Sequence, residues 1–149
     1  MQDNNKVRQR LTALFAGQKL AVLSTNQPDG HPYASLVAFV ASEDLKYMYF
    51  ATSRATRKYA NLQKDGRTAM LVNNSRNHSS DFYKAIAATG IGHSVELSDD
   101  AAQAARRRYI ERHPYLEDFV KSPSCAFFQV TLKTYYLVEN FQNVTEVHL

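Results

Sequence analysis

The chain contains no tryptophan and a single cysteine, Cys125, in 149 residues. One thiol cannot close a disulfide within a chain, and no CxxC or paired-histidine spacing offers a metal site. Cys125 lies in an apolar run with no base beside it in sequence, the setting of a buried structural thiol rather than a nucleophile. No apolar run approaches membrane-spanning length. The opening Met1-Gln-Asp-Asn-Asn-Lys6 is polar and has no apolar signal core, so the expected compartment is the cytoplasm. Without a secretory signal, the glycosylation-type triplets at Asn73, Asn77 and Asn143 carry no meaning. A GxGxxG fingerprint and alternating βαβ units are both missing, which argues against a dinucleotide-binding α/β fold. No linker, repeat or low-complexity segment divides the sequence, and residues 1–149 read as one domain.

What is present is a basic, aromatic-rich chain. Nine Tyr and eight Phe suit a β-rich interior, and 44% hydrophobic with 21% charged residues is ordinary for a globular protein. The net charge of +4 is spread, with one cluster at Arg106-Arg107-Arg108 and Arg112. Nucleic acid or an acidic membrane can use such a cluster, but a solvated helix face is the commoner reading, and neither partner is expected.

Val7, Leu11, Leu14 and Phe15 recur at helical spacing, which predicts an amphipathic helix over residues 3–16. A strand over 20–25, the turn Gln27-Pro-Asp-Gly30 and a strand over 31–41 form a hairpin. The second of these strands is apolar on both faces, so both must be covered, one by the core and one by a ligand or a second subunit. Further strands are expected over 47–52, 68–72, 85–97, 125–132 and 135–141, with a loop over 73–84 and a helix from Ser98 to Glu111. Gly90 and Gly92 mark a bulge, a barrel bend or a close backbone approach. Hairpin connections and short helices point to a mainly β, antiparallel barrel of about six strands with helices packed outside.

The most informative stretch runs from Tyr49 to Leu62. An aromatic strand ends in a hydroxyl-rich turn, and a short helix then opens at Thr56, Arg57 and Lys58. A helix N-terminus presents unpaired N–H groups and the positive end of a dipole. Hydroxyls and two cations there make a phosphate cradle; a solvated basic first turn explains the same residues equally well.

Asp29-Gly-His-Pro-Tyr33, the strand after it, Phe50-Ala-Thr-Ser53 and Thr56-Arg-Lys58 resemble the pyridoxamine 5'-phosphate oxidase-like FMN-binding split-barrel family, chiefly over residues 15–97. That resemblance implies a six-stranded split barrel with an N-terminal helix, a short phosphate helix and a helix near residues 98–113. It implies a homodimer with FMN at the subunit interface. Ala51, Thr52 and Ser53 would meet the ligand, Thr56, Arg57 and Lys58 would hold its phosphate, and Ser35, Leu36 and Val37 would offer backbone along the flavin edge. The loop Asn73–Asp81 resembles one in small members of the group, which implies flavin contacts from Asn74 and Arg76; an ordinary polar turn is the other reading. His31 and His78 are candidate proton donors without an assigned role. Ser35 and Val40 stand where the true oxidase carries cations, and its terminal Trp-Arg-Leu-type motif has no counterpart. The expectation is an FMN-dependent oxidoreductase acting on a small molecule other than pyridoxamine phosphate. A non-catalytic flavin binder, or a basic barrel for single-stranded nucleic acid, are the alternatives.

Overall fold

The computed structural model describes residues 4–149. Five helices, α1 (Asn4–Gly17), α2 (Arg57–Lys64), α3 (Asp81–Lys84), α4 (Asp99–Arg112) and α5 (Glu117–Lys121), surround eight strands. The strands are β1 (Leu20–Asn26), β2 (Pro32–Ala38), β3 (Val40–Ala41), β4 (Tyr47–Ser53), β5 (Arg67–Asn73), β6 (Ala87–Glu96), β7 (Cys125–Glu139) and β8 (Asn143–His148). The expected start of α1 at residue 3 lies outside the described residues.

One antiparallel sheet runs β2-β1-β5-β6-β7-β4-β3, with β8 added on β7. Its two ends are consecutive in sequence, because only Phe39 separates β2 from β3. The strand expected over 31–41 therefore leaves one sheet edge at Ala38 and joins the other at Val40, which pairs Tyr49. That crossing curls the sheet into a barrel but leaves a split. The outer edge of β2 and the β4 segment Phe50–Ser53 diverge and have no partner strand between them.

Alternation fills the interior. Leu23, Phe39, Met48, Phe50, Met70, Phe128, Val130, Tyr135 and Leu137 are buried together. Phe50 and Phe128 sit directly opposite in the β4–β7 register and stack at 5.1 Å, an arrangement that adds to the ~1.5–3 kcal/mol gained by burying each ring. α1 closes one barrel end, with Phe15 against Phe39 and Tyr135. α2 closes the other, with Tyr59 edge-on to Phe128 and Asn61 Nδ2 donating to Thr25 Oγ1 at 3.0 Å. A second cluster lies outside the barrel, where α4 and α5 cover Val40, Ala51, Cys125 and Phe127 with Tyr109 and Val120. Cys125 is buried and free there, and burial raises its thiol pKa, as suits a structural residue.

Besides the break at Phe39, the loop expected over 73–84 ends in α3 and α5 was not expected, and further features differ from the sequence expectations. The segments 125–132 and 135–141 are one continuous 15-residue strand, not two. Its bend comes from a register shift at Ile91/Gly92, where an added Cβ on Gly92 would lie 2.1 Å from Thr131 O. Gly92 marks both the irregularity in the ladder and a close backbone approach, two of the readings the sequence offered. β8 was not foreseen because its hairpin turn uses Asn140 and Phe141 at positive φ, without glycine. The arginine cluster is also more structural than a solvated face. Arg112 donates to the carbonyls of Phe15, Ala16 and Gln18 at the C-terminus of α1, Arg108 to Ala41 O, and Arg106 lies over the Phe127 ring.

Candidate functional site

The turn between β4 and α2 is tied by its own hydroxyls. Thr56 caps α2, accepting from Tyr59 N at 3.3 Å, and donates to Ser53 O at 2.9 Å. Thr52 Oγ1 lies 2.8 Å from Thr56 Oγ1, and Ser53 Oγ accepts from Ala55 N at 3.2 Å. The turn is thus fixed without a ligand, while the N–H groups of Arg57 and Lys58 find no acceptor among the described residues.

The three cations of this turn have different roles. Arg54 is spent on the fold, with its guanidinium on Pro123 O (2.8 Å), Cys125 O (3.0 Å) and Glu96 (3.0 Å). Arg57 is exposed and Lys58 half-buried, and neither has a carboxylate within ion-pair distance among the described residues. Burial lowers the pKa of Lys58. A half-buried ammonium with no counter-charge is unfavourable by itself, and an anion at the head of α2 relieves it.

The split lies beside this helix start. Continuing the Val40–Tyr49 register would set Ser35–Val37 against Thr52–Arg54, but no ladder joins the two strands there. Side chains point away from the gap. Val37 enters the barrel core, Ala51 lies under α4, and Leu36 is 64% exposed on the outer face. Ser35 Oγ is buried with no hydrogen-bond partner among the described residues. Tyr109 closes the far end of the split by donating to Ala38 O at 3.0 Å.

The turn holds Ala51, Thr52, Ser53, Thr56, Arg57 and Lys58 together, and β2, which carries Ser35, Leu36 and Val37, runs near β4 without pairing with its second half. The structure does not bring Asn74 and Arg76 to them. β5 begins near α2 and carries Asn73 to the opposite barrel end, where Asn74 and Arg76 face α1. Within one chain they cannot touch a ligand held at α2. Asn74 is partly structural as well, its Oδ1 accepting from Ile86 N at 2.7 Å. His31 is exposed beside Asp29, and His78 bonds Ser80 in the loop, both away from the split. The sequence offered no sign that Arg54 and Tyr109 frame the site. Their partners lie 71 residues away in the chain.

A curled, antiparallel sheet closed into a split barrel, with five helices around it, defines a mainly β split-barrel class of protein. The pyridoxamine 5'-phosphate oxidase profile matches residues 7–139, and the chain belongs to that family. Solved structures show the same fold at low identity. A heme binding protein from Mycobacterium smegmatis superposes with a TM-score of 0.84 at 15% identity, covering 99% of this chain and 59% of its own. A protein related to general stress protein 26 from Clostridium acetobutylicum gives 0.77 at 15% identity, covering 99% and 97%. An FAD-binding protein from Mesorhizobium loti gives 0.69 at 14% identity, covering 87% and 91%. No curated protein matches the sequence. None of the described helices is long and apolar enough to cross a membrane.

Proposed function

We propose that the protein is a homodimeric, FMN-dependent oxidoreductase acting on a small molecule. The observation that carries this reading is Lys58, half-buried at the head of α2 with no carboxylate partner, beside the split in the sheet. The donor set fits FMN. Arg57, Lys58 and the Thr56 turn would hold the phosphate, and Ser35–Val37 and Ala51–Ser53 would offer main-chain groups to the ring. Tyr109, donating to Ala38 O, would bound the far end of the site. Bound FMN supplies redox chemistry at its ring; the chain binds it, orients it and excludes water from one side. A reduced nicotinamide or another small donor would supply the hydride.

The dimer follows from the outer face of the sheet. Leu20, Val22, Leu36, Leu71, Ala69 and Ile91 adjoin one another through the pairings of β2-β1-β5-β6. Leu20 and Leu36 are more than half exposed in the single chain. The outer side of Ala38 and Val40 is covered by α4, so the doubly apolar strand is covered along half its length and bare along the rest. A second copy covers the remainder.

Titration of cofactor-stripped protein with FMN, riboflavin and heme tests the reading. FMN should bind tighter than riboflavin, and Arg57→Ala or Lys58→Ala should each cost FMN affinity by roughly 1.5–3 kcal/mol. Equal affinity for FMN and riboflavin, or unchanged affinity in both variants, refutes the phosphate assignment. Pyridoxamine phosphate should not reduce the loaded protein, because Val40 is buried under α4 and Ser35 offers no charge to its phosphate.

A further inference from the structure

The hydroxyl bonds among Thr52, Ser53, Ala55 and Thr56 join residues no more than four apart, so they fix the shape of the turn and not its place on the barrel. The β4–β7 ladder ends at Ser53, opposite Cys125. Farther on, α2 is fastened by its second turn, where Asn61 bonds Thr25 and Leu62 enters the barrel core. The head of α2, with Arg57 and Lys58, lies between these two anchorages.

Arg54 supplies the fastening there. Its backbone N–H donates to Ser124 O at 3.0 Å, and its Nη1 donates to Pro123 O at 2.8 Å and Cys125 O at 3.0 Å. One residue thus takes three successive carbonyls of the segment that leads into β7. Its Nη2 takes Glu96 Oε2, at the end of β6, at 3.0 Å. A planar fork can serve two carbonyls and a carboxylate at once, which a lysine ammonium on its single stem cannot reproduce. Glu96 meets the charge of Arg54, so what Arg54 offers an anion at α2 is geometry and not net charge.

We infer that Arg54 is a positioning residue for the phosphate cradle: through the carbonyls of Pro123, Ser124 and Cys125 it holds the head of α2 where Arg57 and Lys58 both meet one phosphate. It acts without touching the ligand, by fixing the cradle before the ligand arrives. The inference rests on the FMN reading above and adds to it a residue outside the cradle on which phosphate recognition depends.

Titration of the cofactor-stripped full chain with FMN and with riboflavin, for the parent, Arg54→Ala and Arg54→Lys, tests it. Arg54→Ala should weaken FMN about tenfold and leave riboflavin within about twofold, so that the preference for FMN falls. Arg54→Lys, which keeps the stem and the charge but not the fork, should show most of the same loss. Circular dichroism shows whether each variant is folded, and the milder Arg54→Lys carries the readout alone where Arg54→Ala does not fold. A preference for FMN unchanged in the variants, even with lowered thermal stability, overturns the inference and makes Arg54 a residue of the fold only. Full affinity in Arg54→Lys also overturns it, because charge and not geometry would then be what the phosphate needs. A parent that binds FMN no better than riboflavin refutes the phosphate assignment itself and this inference with it, whereas the other two outcomes leave that assignment standing.

Discussion

The two flanks of β4 differ in how completely they are satisfied. On the flank under α4 and α5, Tyr109 bonds Ala38 O, Arg54 ties three groups together and Phe127 is enclosed by aromatic and cationic neighbours. On the flank facing β2, no ladder joins the strands, Ser35 Oγ is orphaned, Leu36 is bare and Lys58 lacks a counter-charge. The first flank is finished by the chain alone. The second is left open by the chain alone. Unsatisfied groups cost stability, so their concentration on one edge of an otherwise well-paired sheet is the mark of a site.

The largest effect should come from breaking the scaffold that both flanks share. Gly92→Ala places a methyl 2.1 Å from Thr131 O, a backbone atom that cannot yield without moving β7. We expect a loss of more than about 4 kcal/mol by denaturant unfolding. Gly17→Ala, with nothing within 4 Å of its added methyl, should be neutral or stabilise by up to about 1 kcal/mol. Equal behaviour of the two variants would show that the bend in β7 does not depend on Gly92.

The next effect sharpens the comparison on the open flank. Leu36→Lys puts a charge in the centre of the bare outer face while leaving the barrel interior untouched. Sedimentation at low micromolar concentration should show a dimer for the parent and mainly monomer for the variant, a weakening of roughly tenfold or more. A variant that remains fully dimeric locates the interface elsewhere.

The smallest effect belongs to the finished flank and is read through pH. His113 is buried, its Nε2 2.7 Å from Phe39 O, and burial lowers its pKa below the ordinary 6.5. The unfolded chain therefore takes up a proton first as pH falls. Stability is fully present above about pH 6.5 and declines as pH falls toward the lowered folded value, by at most about 1.4 kcal/mol per pH unit. His113→Phe should remove that part of the acid slope in unfolding experiments at pH 5 and 7. An unchanged slope would assign it to the carboxylates.

The capped helix start at Thr56 was legible because its determinants are local. Thr56, Arg57 and Lys58 adjoin in sequence, and helix-start chemistry depends on the first turn alone. The doubly apolar strand was also legible as a demand for cover on both sides, although not as a strand that changes sheet edge at Phe39. What stayed hidden depended on distant partners. Arg54 is indistinguishable in sequence from its neighbours until Pro123, Cys125 and Glu96 come to meet it. Arg112 looks like one more charge in a run until it caps α1. Asn74 and Arg76 were placed with the flavin by resemblance, and only the direction of β5 shows that they leave α2 behind.

β7 pairs with β4, β6 and β8, and it bears on the order in which the molecule assembles. The β1–β2 hairpin can form from neighbouring residues, whereas Tyr47–Ser53 waits for Thr131–Cys125 to arrive from far along the chain. Pairings of such long sequence separation are slow to form. During refolding, affinity for an anion at α2 should therefore emerge with the late, slow phase that docks β7 and not with the early hairpin. In the native protein, amide hydrogens at the centre of β7, walled in by strands on both sides, should be the last to exchange.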